Sequence, residues 1–198
     1  SLYMGVNISP TQLRNPQLAS MVARVLKETN LNPQCLELEI TESVLIAEAD
    51  TTLENLCKLK SLGVHLSVDD FGTGYSGLSR LTQLPVDALK IDQHFVREIS
   101  TGHHAKAIIK AVVDMALTMG LRVTAEGVES QEQALFLQDL GCHEGQGFLY
   151  AKPLSPGNME QYLQGEQQRQ TVEASKNALI EALSSRYEKP DLPARRAL

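Results

Sequence analysis

The 198-residue chain has few cysteines, no excess of positive charge and no long apolar run. Its three cysteines, Cys35, Cys57 and Cys142, are far apart, odd in number and form no CxxC pair. That spacing argues against a disulfide framework and a structural zinc site, and it fits a reducing cytoplasm. Lys and Arg total 18 against 24 Asp and Glu, a formal net charge of −6. A coat for polymeric nucleic acid would need the opposite balance, because basic side chains must displace phosphate counterions. No stretch approaches the ~20 consecutive apolar residues of a membrane span, and Ser1–Pro10 lacks a basic segment followed by an apolar one. The sequence therefore reads as soluble, unexported and cytoplasmic. Apolar residues make up 42% of the chain, enough for one sizeable core in a chain not much longer than a single domain of ~150 residues.

Between Met4 and Tyr150 short strand-like runs alternate with helical patterns, and their starts recur about every 23 to 34 residues, the length of a βα unit. Six strands are expected: Met4–Ser9, Leu36–Thr41, Val64–Asp69, Asp87–Asp92, Leu121–Glu126 and Gln146–Tyr150. In the first helix Asn15 can cap and Pro16 can take the first position, with Leu18, Met21, Val22, Val25 and Leu26 on one face. A second helix starts near Asp50, carries Leu53, Leu56 and Leu59, and stops at Gly63. A third uses Ile108, Ile109, Val112, Met115 and Met119 before Gly120, and a fourth runs from a capping box at Ser130 and Gln133 to Gly141. Past Pro153, Asn158–Leu163 reads as a closing helix, Gln164–Thr171 as Gln-rich, Thr171–Tyr187 as a further helix and Glu188–Leu198 as a frayed tail. The expected organisation is a barrel domain over 1–164 followed by a helix and flexible tail over 165–198.

Helices that cover parallel strands should leave little polar surface, yet alternate strand positions are polar. Leu36, Leu38 and Ile40 alternate with Glu37, Glu39 and Thr41, and Val64, Leu66 and Val68 with His65, Ser67 and Asp69. Lys90/Asp92 and Thr124/Glu126 repeat the pattern. A closed barrel accounts for this: the apolar set meets the helices and the polar set converges inside, with active residues at the C-terminal strand ends. An open doubly wound sheet is the alternative.

At or near those ends stand Asn7, Glu39, Asp69 with Asp70, Lys90 with Asp92, Glu126 with Glu129, and Gln146. All but Lys90 offer oxygen. A hard divalent cation such as Mg²⁺ or Mn²⁺ wants such a cage, and without one several acids at one mouth would repel each other. Each acid alone could equally be a solvated loop carboxylate or a helix cap. In Asp69–Tyr75 a carboxylate pair precedes two glycines, which suits a tight, mobile loop. Adjacent carboxylates are expected to point different ways, so that each serves its own ion. Lys90, polar within an apolar strand, must reach into the barrel and pair with acids. There it could neutralise charge on a phosphate or orient a water; a purely structural ion pair and a Schiff-base lysine are the alternatives.

Val6–Pro10, Glu37–Ser43, Asp69–Tyr75, Leu84–Pro85 with Leu89–Asp92, Ala125–Glu129 and Gly141–Cys142 with Gln146–Gly147 together resemble the EAL-domain cyclic-di-GMP phosphodiesterases. The resemblance covers about Val6 to Pro153. It implies a modified (β/α)8 TIM-like barrel, present here as an N-terminally truncated portion of about six βα units with a C-terminal helical extension. It implies opening of one phosphodiester of cyclic di-GMP to give linear pGpG, with Mg²⁺ or Mn²⁺. The implied metal ligands are Asn7, Glu39 and Asp69, with Asp70 on the second ion. Lys90 and Glu126 flank the attacking water, Glu126 as the base; Asp92, Gln146 and Glu129 complete the inner shell. Glu42 matches the acid that orders the Asp70–Tyr75 loop. Cyclic di-GMP is the implied partner, and the resemblance allows a homodimer and an upstream sensor or GGDEF domain.

Gln93 and His94 follow Asp92 where the family often has Arg-Ser, and His143 stands where an Asp is common. The family's Glu-Ala-Leu motif and two opening strands belong upstream of Val6, whereas Glu181–Ala182–Leu183 follows the last strand and has the wrong order and spacing to replace it. Two activities follow as expectations: metal-dependent hydrolysis, or nucleotide or partner binding without turnover. An unrelated metal-dependent barrel lyase is a third, on grounds of fold alone. The isolated chain is expected to self-associate or be marginally stable, and to hydrolyse cyclic di-GMP negligibly.

Overall fold

The computed structural model describes residues 3–45, 50–72, 78–100 and 102–165. The chain forms two compact units, Ser1–Ala151 and Lys152–Leu198. In the first, six parallel strands pair in the order of the sequence: β1 (Met4–Ile8), β2 (Leu36–Thr41), β3 (His65–Phe71), β4 (Ala88–Ile91), β5 (Arg122–Ala125) and β6 (Glu144–Gly145). Between them run α1 (Pro10–Leu13), α2 (Leu18–Thr29), α3 (Asp50–Ser61), α4 (Leu78–Leu81), α5 (Gln93–Arg97), α6 (His103–Thr118) and α7 (Gln131–Asp139). Of the second unit, a helix over 156–165 is described. Thr73–Tyr75, the expected helix Thr171–Tyr187 with its Glu181–Leu183, and the tail Glu188–Leu198 lie outside the described residues.

The strands alternate as expected. Leu38, Ile40, Leu66, Val68, Leu89, Ile91, Val123 and Ala125 are buried in one core with Leu56 and Leu59 of α3 and Ile109 and Val113 of α6. Each such Val, Leu or Ile side chain contributes about 1.5–3 kcal/mol when fully buried. The other set faces the concave side. There Arg122 Nη2 of β5 donates to Glu37 Oε2 of β2 at 2.7 Å, and Nη1 to Glu144 Oε1 of β6 at 3.1 Å. In a flat sheet β5 and β2 would stand about 14 Å apart. The bond therefore requires a sheet curled into part of a barrel, which excludes the open doubly wound alternative.

Some boundaries differ from expectation. The last strand is Glu144–Gly145, not Gln146–Tyr150, because beyond it the chain leaves the ladder. Val128 N–H donates to Gln146 O and Leu149 N–H to Val128 O, so the segment folds over the loop after β5. The helix expected from Asn15 begins at Leu18; Asn15 Oδ1 instead accepts from Gln17 N–H, and Ser9 and Gln12 form a capping box for the short α1. On α2, Leu18, Val22 and Leu26 are buried while Met21 and Val25 are exposed, and on α3 Leu53 is exposed while Asn55 is buried. Asn55 turns inward because its Nδ2 donates to Leu13 O and Asn15 O, tying α3 to the α1–α2 turn. On α6, Ile109 is buried and Ile108 exposed. The capping box at Ser130 and Gln133 forms as expected.

Candidate active site

Lys90, near the end of β4, is 4% exposed, which is affordable for an ammonium only if acids surround it. They do: Nζ lies 2.7 Å from Glu39 Oε2 on β2, 2.6 Å from Glu126 Oε1 after β5, and 3.3 Å from Asp69 Oδ1 on β3. Burial works against its charge, but hydrogen bonds to Glu126 and Glu39 outweigh it and drive the ammonium's pKa upward. An ammonium held by three carboxylates favours the charged form, which argues against the Schiff-base alternative.

Among the described residues Lys90 stands against three carboxylates, and a fourth, Asp70, lies close by. Asp69, Asp70 and Glu126 place ligand oxygens within 4.8 Å of one another. Burial, opposed by Lys90, raises the pKa of Glu126; burial and the Asp69 charge raise that of Asp70. Asp69 Oδ1 is buried and accepts no hydrogen bond, and Ser67 Oγ on the same strand also lacks a partner. A buried carboxylate oxygen held only by its 3.3 Å ion pair with Lys90, beside two further carboxylates, fits the oxygen-only donor set of a hard divalent cation.

The adjacent aspartates do not diverge as strict alternation demands. The β3–β4 register shifts between Val68 and Phe71, and Asp70 has φ +56°. This bulge brings both carboxylates to one mouth. A left-handed residue with a Cβ costs energy, and the surroundings supply it: Glu42, 3% exposed, accepts Gly72 N–H on Oε2 at 3.0 Å.

Asn7 sits opposite Glu39 in the β1–β2 register but is exposed. Asp92 caps α5 through His94 N–H at 2.7 Å, and its carboxylate is one of the groups that raise the pKa of Asp70. Glu129 lies apart from the acid cluster, its carboxylate 3.5 Å from Arg97. Glu126, Glu129 and Gln146 nevertheless line one cavity of about 240 Å³ with Gln93, Arg97 and Phe148. Arg97 and Phe148 escaped sequence reasoning. No sequence signal pairs them, because Arg97 and Phe148 are far apart in the chain and only the fold over Val128 places Phe148 there.

Residues 1–153 match the model of the EAL domain. Cyclic di-GMP phosphodiesterase RocR of Pseudomonas aeruginosa is 39% identical over 162 residues, covering 82% of this chain and 41% of RocR. The EAL domain of Mycobacterium smegmatis DcpA superposes with a TM-score of 0.78 at 42% identity, covering 82% of this chain and 73% of that one. Klebsiella pneumoniae BlrP1 in its manganese and cyclic-di-GMP complex gives 0.70 at 35% identity, covering 76% and 39%. The chain spans 18 to 41% of the length of eight curated relatives that it matches. Among the described residues no helix is long and apolar enough to cross a membrane. A match that extends over all six strands admits one assignment: the chain belongs to the EAL domain family.

Proposed function

We propose that the chain carries the metal-dependent site of a cyclic-di-GMP phosphodiesterase, which opens one phosphodiester to give linear pGpG. The observation that carries this reading is the acid excess around Lys90: three carboxylates with oxygens within 4.8 Å and one buried oxygen without a hydrogen bond. The similarity to RocR, and to BlrP1 complexed with manganese and cyclic di-GMP, supports the substrate. Asn7, Glu39, Asp69 and Asp70 would hold Mg²⁺ or Mn²⁺, both of which suit oxygen donors. The metal would polarise the phosphoryl oxygens and lower the pKa of a bound water.

The protein's own groups do the rest. Glu126 holds the water's proton, and its raised pKa brings it nearer neutrality, where a general base works best. Lys90, kept charged, holds Glu126 and Glu39 in place and faces the negative charge that develops on the phosphate. Asp92 supports Asp70 from the start of α5. Arg97 and Phe148 offer hydrogen bonds and a stacking face to a guanine in the cavity beside Glu126, with Gln146 and Glu129 at its edge.

The test is conversion of cyclic di-GMP to pGpG by the full-length gene product. Asp69→Asn and Glu39→Gln should each abolish Mg²⁺-dependent turnover while the circular dichroism spectrum stays unchanged. Near-normal turnover in either would overturn the assignment. The exposure of Asn7 on β1 favours a second reading, nucleotide binding without turnover. That reading predicts calorimetric binding of cyclic di-GMP with no pGpG formed.

A further inference from the structure

The short helix α5, which the sequence pattern does not reveal, lies between the loop that follows Asp70 and the loop that carries Glu126. On one side Gly72, at φ +101°, lies flat on the ring of Phe95: a Cβ there would come 2.8 Å from Cε2 and 3.3 Å from Cζ. On the other side Gly127, which follows Glu126 at φ +68°, lies on Gln93: a Cβ there would come 2.5 Å from Gln93 Cβ and 3.2 Å from its Cα. Both contacts are made by one turn of α5, whose start Asp92 fixes by accepting His94 N–H on Oδ1 and Phe95 N–H on its carbonyl. The loop after β3 and the loop after β5 are not neighbours. Strand β4 separates them, so their strands stand about 10 Å apart in the sheet, and Lys90 Nζ lies between, 3.3 Å from Asp69 Oδ1 and 2.6 Å from Glu126 Oε1.

We propose that the first turn of α5 is the spacer that sets the separation of the Asp70 and Glu126 carboxylates, with Phe95 and Gln93 as its positioning residues. The inference rests on the metal-site reading above. Its logic is steric: both loops present glycine backbone to the helix, so the thickness of the turn and its two side chains limits how closely they approach, alongside the strand ladder and the Lys90 contacts. The two residues act through different atoms. Phe95 acts through its ring, whereas Gln93 acts through Cα and Cβ alone, and its amide is dispensable. A merely structural role would not separate Gln93→Ala from Gln93→Gly by metal affinity.

Mn²⁺ binding to the 198-residue chain, followed by electron paramagnetic resonance of the free ion, tests this beside urea unfolding. Phe95→Ala and Gln93→Gly should each weaken Mn²⁺ binding by roughly tenfold, the usual scale for residues that support metal ligands. Gln93→Ala should leave it unchanged, and Phe95→Leu should recover most of the loss. Metal-free amide exchange should quicken at Gly72, whose N–H is bonded to Glu42, in Phe95→Ala, and at Val128, bonded to Gln146, in Gln93→Gly. Lower stability with unchanged Mn²⁺ affinity in both variants would overturn the spacer. If Phe95→Ala does not fold, Gln93→Gly decides, because Gln93 is exposed. A parent chain that binds no Mn²⁺ would sink the metal reading, and exchange at Gly72 and Val128 would then decide the spacer by itself.

Discussion

Replacing Lys90 with Met keeps the stem of the side chain and removes the ammonium that Glu39, Asp69 and Glu126 share. Glu39, Asp69 and Glu126 would then face each other without compensation, their side chains 14%, 12% and 19% exposed. Removing one partner of a buried ion pair costs about 3–5 kcal/mol, because an uncompensated buried charge remains. Domains are stable by only about 5–15 kcal/mol, so Lys90→Met should lose a large share of the urea midpoint at neutral pH. Two conditions should restore it. Mg²⁺ or Mn²⁺ at concentrations well above its dissociation constant supplies the missing positive charge and stabilises the folded state by mass action. Acid should help as well. Burial already raises the pKa of Glu126 and Lys90 opposes that rise; without Lys90 the folded-state pKa climbs further above the unfolded one. A carboxyl raised in this sense favours folding at low pH and disfavours it as pH rises through the folded value. The penalty should therefore shrink as pH falls from neutrality towards the ordinary carboxylate range. Urea titrations at pH 5 and 7.5, with and without Mg²⁺, read all of this. A metal-free variant as stable as the parent at pH 7.5 would refute the argument that Lys90 balances these acids.

Glu42→Ala strips the acceptor from Gly72 N–H; leaving that group unsatisfied costs about 1–3 kcal/mol, and the lost turnover should return in part at high metal, which a metal titration of activity checks. Burial pushes the Cys142 thiol up to about 11, whereas Cys57 is exposed. Iodoacetamide at pH 8 should therefore label Cys57 well before Cys142, as peptide mass spectrometry would show. The outer edge of β1 is unpaired among the described residues and is flanked by the exposed side chains of Tyr3, Met4 and Val6. Such an edge invites pairing, so the 198-residue chain should exceed monomer mass in light scattering, and a clean monomer would contradict this.

Legibility followed the physics of each element. Strand β2 matched its expected bounds because Leu36–Thr41 alternates strictly, and period two is the strongest signal a half-polar strand can give. The acids at the strand ends were readable as a set, since residue type and spacing already put Glu39, Asp69, Lys90 and Glu126 at one end of a curled sheet. Their partners were not. Which acid Lys90 touches, and that Arg122 meets Glu37, depends on the curvature of the sheet, which no local pattern encodes. Helix α5 was hidden because five residues are too few to show a period of 3.6. The left-handed backbone at Asp70 was not legible because strict alternation assumes a regular strand, and Gly72 beside the bulge is held by Glu42, 30 residues away.

The ladder joins each strand only to its predecessor and successor in the chain, from Met4 opposite Leu36 to Thr124 opposite Glu144. The backbone can therefore assemble in the order in which a ribosome releases it, each βα unit docking on the last, with only short loops to close at every step. The side-chain bonds across the concave face obey a different schedule. Lys90 and Glu39 are 51 residues apart, and Arg122 and Glu37 are 85. Glu39 and Glu37 must wait, solvated, until β4 and β5 arrive. These two charges are thus withdrawn from water late, so a chain interrupted after β3 would carry a framework with Glu37 and Glu39 still waiting for Arg122 and Lys90.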